Sequence, residues 1–347
     1  MNYIKNIEIN NFKSIRHQKI DDCRRINVFI GYPNVGKSNI LEALSIFSID
    51  ESNTDFYSFI RMENFTTLFY DGDISILAKI FINNKHRFFI RFEDEVLSFI
   101  RQFGVEETSF EKVDSQHILF KKEFQLNSNN KSISNLKSEY LGEDNEIAEI
   151  KKYQFIKHLQ YSNTGYSSLS YPNGNNIFNI ISTNKSLRKE VSDLFKPYNL
   201  ELLYDTRLQE FTISKRTESG IFSIPYTLIA DTIQRLIFFK AAILSNKEKV
   251  LLFEEPEAHM FPPYISKLTS DIIYDENNNQ YFIATHSPFV LNDFMEDMDK
   301  EDLSIYVVGL KDGETTIRKI TVEEITEIYQ YGIDLFFNLE NYLKDAV

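Results

Sequence analysis

Residues 31–38, GYPNVGKS, fit the spacing G-x-x-x-x-G-K-[ST], in which a glycine-bearing turn wraps backbone N–H groups around phosphate oxygens. Gly31 and Gly36 supply the conformational freedom that turn needs. The Lys37 ammonium would reach the β- and γ-phosphates of a nucleotide, and the Ser38 hydroxyl would ligate Mg2+. Asn34, Val35 and Asn39 complete the nucleotide-facing set expected of this loop. By itself the loop leaves open which nucleotide chemistry follows.

The second half of the chain narrows the choice. KVLLFEEPEAH, residues 249–259, is an apolar run closed by paired carboxylates. That is the pattern of a buried strand whose C-terminal end carries acids toward phosphate. Glu254 is placed to hold Mg2+, directly or through water, and Glu255 to polarise an attacking water. About 30 residues on, YFIATHSPFVL is a second apolar strand ending in Thr285-His286-Ser287. An imidazole there could sense the γ-phosphate and align the water. Singly, paired acids read as a solvated strand edge and a lone histidine as structural; loop, acids and histidine in this order read as a hydrolytic site. P-N-V-G-K-S is also how small GTPases write the loop. The D-x-x-G switch and N-K-x-D guanine reader of that class do not occur, and NKEK at 246–249 lacks the final Asp.

These side chains need elements to hold them. RINVFI, 25–30, reads as a buried strand entering the loop. SNILEALSIF reads as a helix leaving it, with Ile40, Leu41, Leu44 and Phe47 on one face. YIKNIEI, HQKI and RINVFI read as strands of one N-terminal sheet, and ISILAKIFI and HRFFIRF pair around Asn83-Asn84-Lys85. Residues 50–56 are polar. Residues 100–175 are the least regular, with a helical pattern near 143–160 and a turn at YPNGNN. STNKSLRKEVSDLFKPYNL reads as a helix ended by Pro197 and capped by Ser182 or Thr183. LELLYD and EFTISKR read as a hairpin. From 225 onward helices and apolar strands alternate, the mark of a parallel sheet. SIYVVGL, TIRKIT and a helix from about 322 close the chain. Residues 73–225 hold no sustained heptads, so no long coiled coil is expected.

Composition excludes several classes. A net charge of −13 over 347 residues argues against indiscriminate nucleic-acid binding. Cys23 is the single cysteine, so a disulfide framework or a cysteine zinc site is excluded, as expected of a cytoplasmic protein. MNYIKNIEIN is charged and alternating, unlike a signal peptide, and no apolar run approaches the roughly 20 residues that span a bilayer.

On IEINNFKSI, GYPNVGKSNILEAL, FEEPEAH and THSP, over roughly residues 1–72 and 210–310, the chain resembles the ABC-type ATPases of the RecF, SMC and OLD group. The resemblance implies an α/β P-loop NTPase of ABC type, a mixed and parallel sheet with helices plus a smaller irregular α+β insertion. The expected division is 1–99 and 206–347, the two parts of the ATPase, around an insertion, 100–205, which is rich in Asn, Ser and Tyr and whose irregularity alone marks it as the partner or trigger surface. ATP with Mg2+ is the implied substrate, hydrolysed with Glu255, His286 and Lys37, and the N-F-K-S element implies nucleotide contact near Lys13 and Ser14. A homodimer or higher homo-oligomer is implied as well, because a signature segment in this group docks on the γ-phosphate of a second subunit.

Here that segment is PYTLIADTIQRLIFFKAAI. Gln234 and Arg235 match the group's pair, while Ala230-Asp231-Thr232 stands where Ser and Gly are expected. Alanine permits close approach but offers no hydroxyl, leaving the contact to backbone N–H groups or Thr232. Glu254 stands where most members have Asp, moving the carboxylate by about a bond length. IADTIQRLIFFKAAI and LLFEEPEAHMFPPYI are also similar to the compact ATPases of bacterial anti-phage defence systems, such as the phage anti-restriction-induced system. Those are encoded beside a separate effector nuclease, which implies an effector partner. Asp297-Met298-Asp299 is formally the D-x-D of a nuclease module, but lies in the acidic run NDFMEDMDKED without a preceding apolar strand and reads as a solvated loop.

Three functions follow: an ATP-hydrolysing switch, an ATP-gated scaffold with little turnover, and a RecF-like DNA repair ATPase. The last needs a basic surface, toward which Lys121-Lys122 and Lys151-Lys152 would contribute. Each pair otherwise reads as a solvated helix face.

Overall fold

The chain opens with a hairpin, β1 (Ile7–Phe12) and β2 (Ile15–Ile20), before β3 (Ile26–Gly31) enters the glycine-bearing loop and helix α1 (Lys37–Ser45) leaves it. The structure, a computed structural model, describes residues 3–49, 59–103, 118–126, 133–140, 146–158, 160–162, 166–218 and 220–343. The polar stretch at 50–56 lies outside these. Strands β4 (Ala78–Ile82), β5 (His86–Glu93), β6 (Val96–Phe103), β7 (Ile118–Leu126) and β8 (Ile133–Tyr140) extend the first hairpin. The result is an antiparallel sheet of order β2-β1-β4-β5-β6-β7-β8. The β4–β5 turn falls at residues 83–85, where Asn83 and Asn84 both take positive φ, a conformation asparagine tolerates well.

Strand β9 (Ile150–Tyr153) is followed by helices α2 (Ile177–Thr183) and α3 (Lys185–Asp193). A three-stranded meander then forms from β10 (Glu201–Asp205), β11 (Glu210–Thr217) and β12 (Gly220–Pro225). The remainder alternates as the apolar pattern requires: α4 (Asp231–Ser245), β13 (Val250–Glu254), α5 (Pro262–Ile273), β14 (Gln280–Ala284) and α6 (Pro288–Asp297). Strands β15 (Leu303–Lys311) and β16 (Glu314–Lys319) and helices α7 (Val322–Tyr331) and α8 (Leu339–Leu343) complete the chain. The central sheet has the order β16-β15-β3-β14-β13-β9, parallel except for the edge strand β16. RINVFI, expected beside YIKNIEI and HQKI, thus lies in this sheet instead, because β3 pairs in parallel with β14 and β15.

Unbroken apolar runs suit this sheet because both its faces are covered. Ile26, Val28 and Ile30 of β3, with Leu251 and Phe253 of β13, enter a core shared with α4, α5, α6 and α7. Their alternates Phe29, Val250 and Leu252 enter a second core, shared with Ile40, Leu41 and Leu44 of α1 and with Ile7 and Ile9 of β1. Helix α1 is thereby held between the two sheets, and the loop at its N-terminus is fixed from both sides.

Residues 100–205 are shared among these structures. The expected boundary at 99 falls within β6, β7 and β8 continue the N-terminal sheet, and β9 pairs with β13 at the edge of the parallel sheet. Of the helical pattern expected near 143–160, residues 143–145 and 159 lie outside the described residues, and among those described residues 150–153 form β9 instead. All four of its residues are buried, and they pair in parallel with Val250–Phe253 of β13. At α3 the cap is Asn184, whose side chain accepts from the Leu187 N–H at 3.1 Å; Ser182 and Thr183 instead end α2.

Candidate functional site

The registers Phe29↔Ala284 and Ala284↔Glu254 place the C-terminal tips of β3, β14 and β13 side by side at one edge of the sheet. Two backbone bonds prolong the pairing past the tips: Thr285 N–H to Phe29 O at 3.1 Å and Glu255 N–H to Ala284 O at 2.8 Å. A cavity of about 410 Å3 opens there. Its loop side is Ser14, Asn34, Gly36, Lys37, Ser38 and Asn39; its strand side is Glu254, Glu255 and His286, with Arg61 on the wall. The nucleotide set, the metal pair and the water-activating pair read from the sequence thus meet in one place, except for Lys13, Gly31 and Val35, which do not line it.

Those three are braces. Gly31 has φ +156° and runs so close to β15 that an added Cβ would lie 2.1 Å from Val308 O. Gly36, at φ +104°, would drive a Cβ to 2.4 Å from the Thr315 hydroxyl. Thr315, buried on β16, joins the Ser14 hydroxyl at 2.7 Å and donates to Val35 O at 2.9 Å, while Asn39 Nδ2 donates to the same Ser14 oxygen at 2.7 Å. Nothing in the sequence marks Thr315; only the pairing of β15 with both β3 and β16 brings it here. Lys37 donates to Gly31 O at 3.0 Å and Tyr32 O at 2.8 Å. Burial pushes its pKa down to about 8 against the pull of Glu255 and Glu254.

Glu42, on α1, is fully buried, a residue to which the sequence assigns no role. Its carboxylate pairs with Lys13 Nζ and with Arg61 Nε, the latter at 2.6 Å. Lys13 also donates to Arg61 O at 2.6 Å, so it braces the wall of the cavity. Burial draws the Lys13 pKa down, with Glu42 opposing. Arg61 reaches on to Glu254 at 3.2 Å, and Lys152 approaches the other Glu254 oxygen at 3.8 Å. Replacing Glu42 with alanine is expected to remove about 3 kcal/mol of unfolding free energy, since a buried cation then lacks its partner. Urea denaturation measures this, and a loss below about 1 kcal/mol would contradict the buried-pair account.

Lys151 and Lys152 do not form the solvated helix face expected of them. Both are buried on β9: Lys151 donates to Ser168 Oγ at 3.1 Å and Lys152 to Phe59 O at 3.3 Å. Lys122 is buried on β7 over the Phe124 ring, and Lys121 pairs with Glu123.

Glu255 takes a left-handed φ of 43° immediately after β13, a conformation rare for its type and one that clusters at functional sites. Its carboxylate is exposed into the cavity, 3.6 Å from His286 Nε2. Burial and then the Lys37 charge hold the His286 pKa below its ordinary value, with Glu255 opposing, so the imidazole is neutral at neutral pH. Beneath them lies Glu257, a buried acid of the F-E-E-P-E-A-H run to which the sequence assigned no role.

Residues 230–235 do not line this cavity. Ala230 is exposed at the N-terminus of α4, and Thr232 Oγ1 donates to His259 O at 2.8 Å. Arg235 is held by Asp231 at 3.1 Å and lies over the Phe155 ring. Gln234, expected to face a second subunit, is buried, because its amide is needed by the Ile229 carbonyl at 2.9 Å.

Comparison with known proteins agrees with this geometry. The family described as "AAA domain, putative AbiEii toxin, Type IV TA system" matches residues 26–292. An ATP/GTP phosphatase of Helicobacter pylori is 21% identical over 336 residues, covering 86% of this chain and 88% of that protein. The DNA replication and repair protein RecF of a Thermoanaerobacter species is 40% identical over 50 residues, which are 14% of this chain. The chain spans only 14% of the length of that RecF. An SMC head, solved bound to the C-winged helix domain of ScpA, superposes with a TM-score of 0.53 at 14% identity, covering 94% of this chain and 100% of that one. No helix among the described residues is long and apolar enough to cross a membrane. The chain therefore belongs to this AAA-domain family, with the ABC-type ATPase fold of the RecF and SMC group.

Proposed function

We propose that the chain is a cytoplasmic ATP hydrolase that works at the interface of two or more copies and signals nucleotide state to a separate effector protein, a nuclease among the fitting classes, in bacterial anti-phage defence. The observation that carries the hydrolytic part is the Glu255–His286 pair, 3.6 Å apart, opening into the cavity that also holds Lys37 and Ser38. The defence role rests on the resemblance of the signature-like and acid-tipped segments.

In this reading the loop N–H groups and the start of α1 hold the β- and γ-phosphates, and Lys37 turns from its two loop carbonyls to the phosphate oxygens. Ser38 and Glu254 offer a hydroxyl and a carboxylate to one cavity, the hard oxygen donors that Mg2+ takes alongside phosphates and water, so the donor set fits that ion. Bound there, it would neutralise phosphate charge. Glu255 accepts a proton as the water oxygen bonds to the γ-phosphorus and the bond to the ADP oxygen breaks. The neutral His286 orients the same water. Positioning and charge stabilisation suffice for this chemistry.

Ala230 and the N-terminus of α4 lie outside the cavity, which supports their use by a second copy. With Glu255→Gln slowing hydrolysis, ATP and Mg2+ are expected to shift the chain from monomer to dimer in sedimentation velocity. A monomer at saturating ATP would count against the interface. The RecF-like reading is disfavoured by the pairing and burial of Lys122, Lys151 and Lys152. The gated-scaffold reading draws on Glu254, held by Arg61 and Lys152, and on Ala230; steady-state turnover separates it from the switch.

A further inference from the structure

We propose that Glu257 is the positioning residue of the hydrolytic site, clamping the tip of β14 so that the His286 imidazole faces Glu255. The inference rests on the hydrolytic reading above and deepens it. Glu257 lies two residues beyond Glu255 and is 7% exposed. One of its carboxylate oxygens accepts both the Thr285 hydroxyl and, at 3.3 Å, the His286 N–H. Thr285 is fully buried; its own N–H goes to Phe29 O, and its hydroxyl oxygen accepts the Ser287 N–H at 3.0 Å. The tips of β3, β13 and β14 are thus tied together at one threonine, and the knot is closed by the buried carboxyl group of Glu257.

The second Glu257 oxygen has no hydrogen-bond partner among the described residues. A buried polar atom left in that state is destabilising, so fold stability alone gives no reason for a carboxylate here. What a carboxylate supplies, and a short hydroxyl or an apolar group does not, is reach from the turn after β13 to two donors on the neighbouring strand. That reach decides where His286 points.

The test is a double-mutant cycle on ATP hydrolysis. Glu257→Ala is expected to lower kcat about 30-fold while the KM for ATP moves less than about twofold, because misplacement harms the transition state more than binding. Glu257→Gln, whose amide oxygen can still accept both bonds, should recover most of the rate. In a His286→Ala background the Glu257→Ala change should cost less than about twofold, as expected of residues acting as a unit. An unchanged kcat, or the full loss in both backgrounds, would overturn the proposal. If the wild-type chain hydrolyses no ATP, the hydrolytic reading fails first. Hydrogen exchange at the His286 amide then decides the positioning role by itself: lost protection in Glu257→Ala supports it, and unchanged protection overturns it. Should Glu257→Ala not fold, Glu257→Gln and Thr285→Val allow the same readings.

Discussion

Glu255→Gln is expected to lower kcat at least about a thousandfold while leaving ATP affinity within a fewfold of wild type. The glutamine keeps the shape of the side chain but cannot accept a proton, and general-base assistance contributes on the order of 10²–10⁴ in rate. Affinity should survive because Glu255 is not one of the loop donors and sits just past the tip of β13, where its backbone bond to Ala284 is untouched. Nucleotide binding by calorimetry and phosphate release measured on the same sample separate the two effects. A variant that turned over at the wild-type rate would remove Glu255 from the chemistry.

Lys37→Ala should show the opposite pattern, with ATP affinity falling about 100-fold, since two charge-assisted contacts to phosphate of roughly 1.5 kcal/mol each are lost. The fold should be retained. The Lys37 ammonium carries a desolvation cost, seen in its lowered pKa, and its two acceptors, Gly31 O and Tyr32 O, are carbonyls of the phosphate loop itself. Thermal unfolding checks the fold and calorimetry the affinity; unaltered affinity would mean that phosphate is held elsewhere.

The parts of the site legible in the sequence are those carried by short contiguous patterns. A phosphate loop, a strand ending in two acids and a strand ending in histidine each hold their own geometry, and parallel pairing of β3, β14 and β13 brings their ends together. What escaped was whatever depends on distant segments. Thr315 braces the phosphate loop across 280 residues of sequence, and Glu42 gains its meaning only when Lys13 and Arg61 fold against it. Lys151 and Lys152 misled for a related reason. Adjacent lysines are usually solvated, but β9 is an edge strand whose covered faces supply a serine, a backbone carbonyl and an aromatic ring for their ammonium groups. The insertion expected at 100–205 was inferred from weak periodicity, whereas strand membership there is set by pairing partners on both sheets. Gln234 matched a pattern by spacing alone, and burial gave it another task.

The most direct measurement is steady-state phosphate release from ATP and from GTP by the purified chain with Mg2+, with Glu255→Gln as the matched control. ATP-specific release that disappears in the variant is the predicted result. Release that persists in the variant, or none from wild type with ATP demonstrably bound, would contradict the hydrolytic assignment.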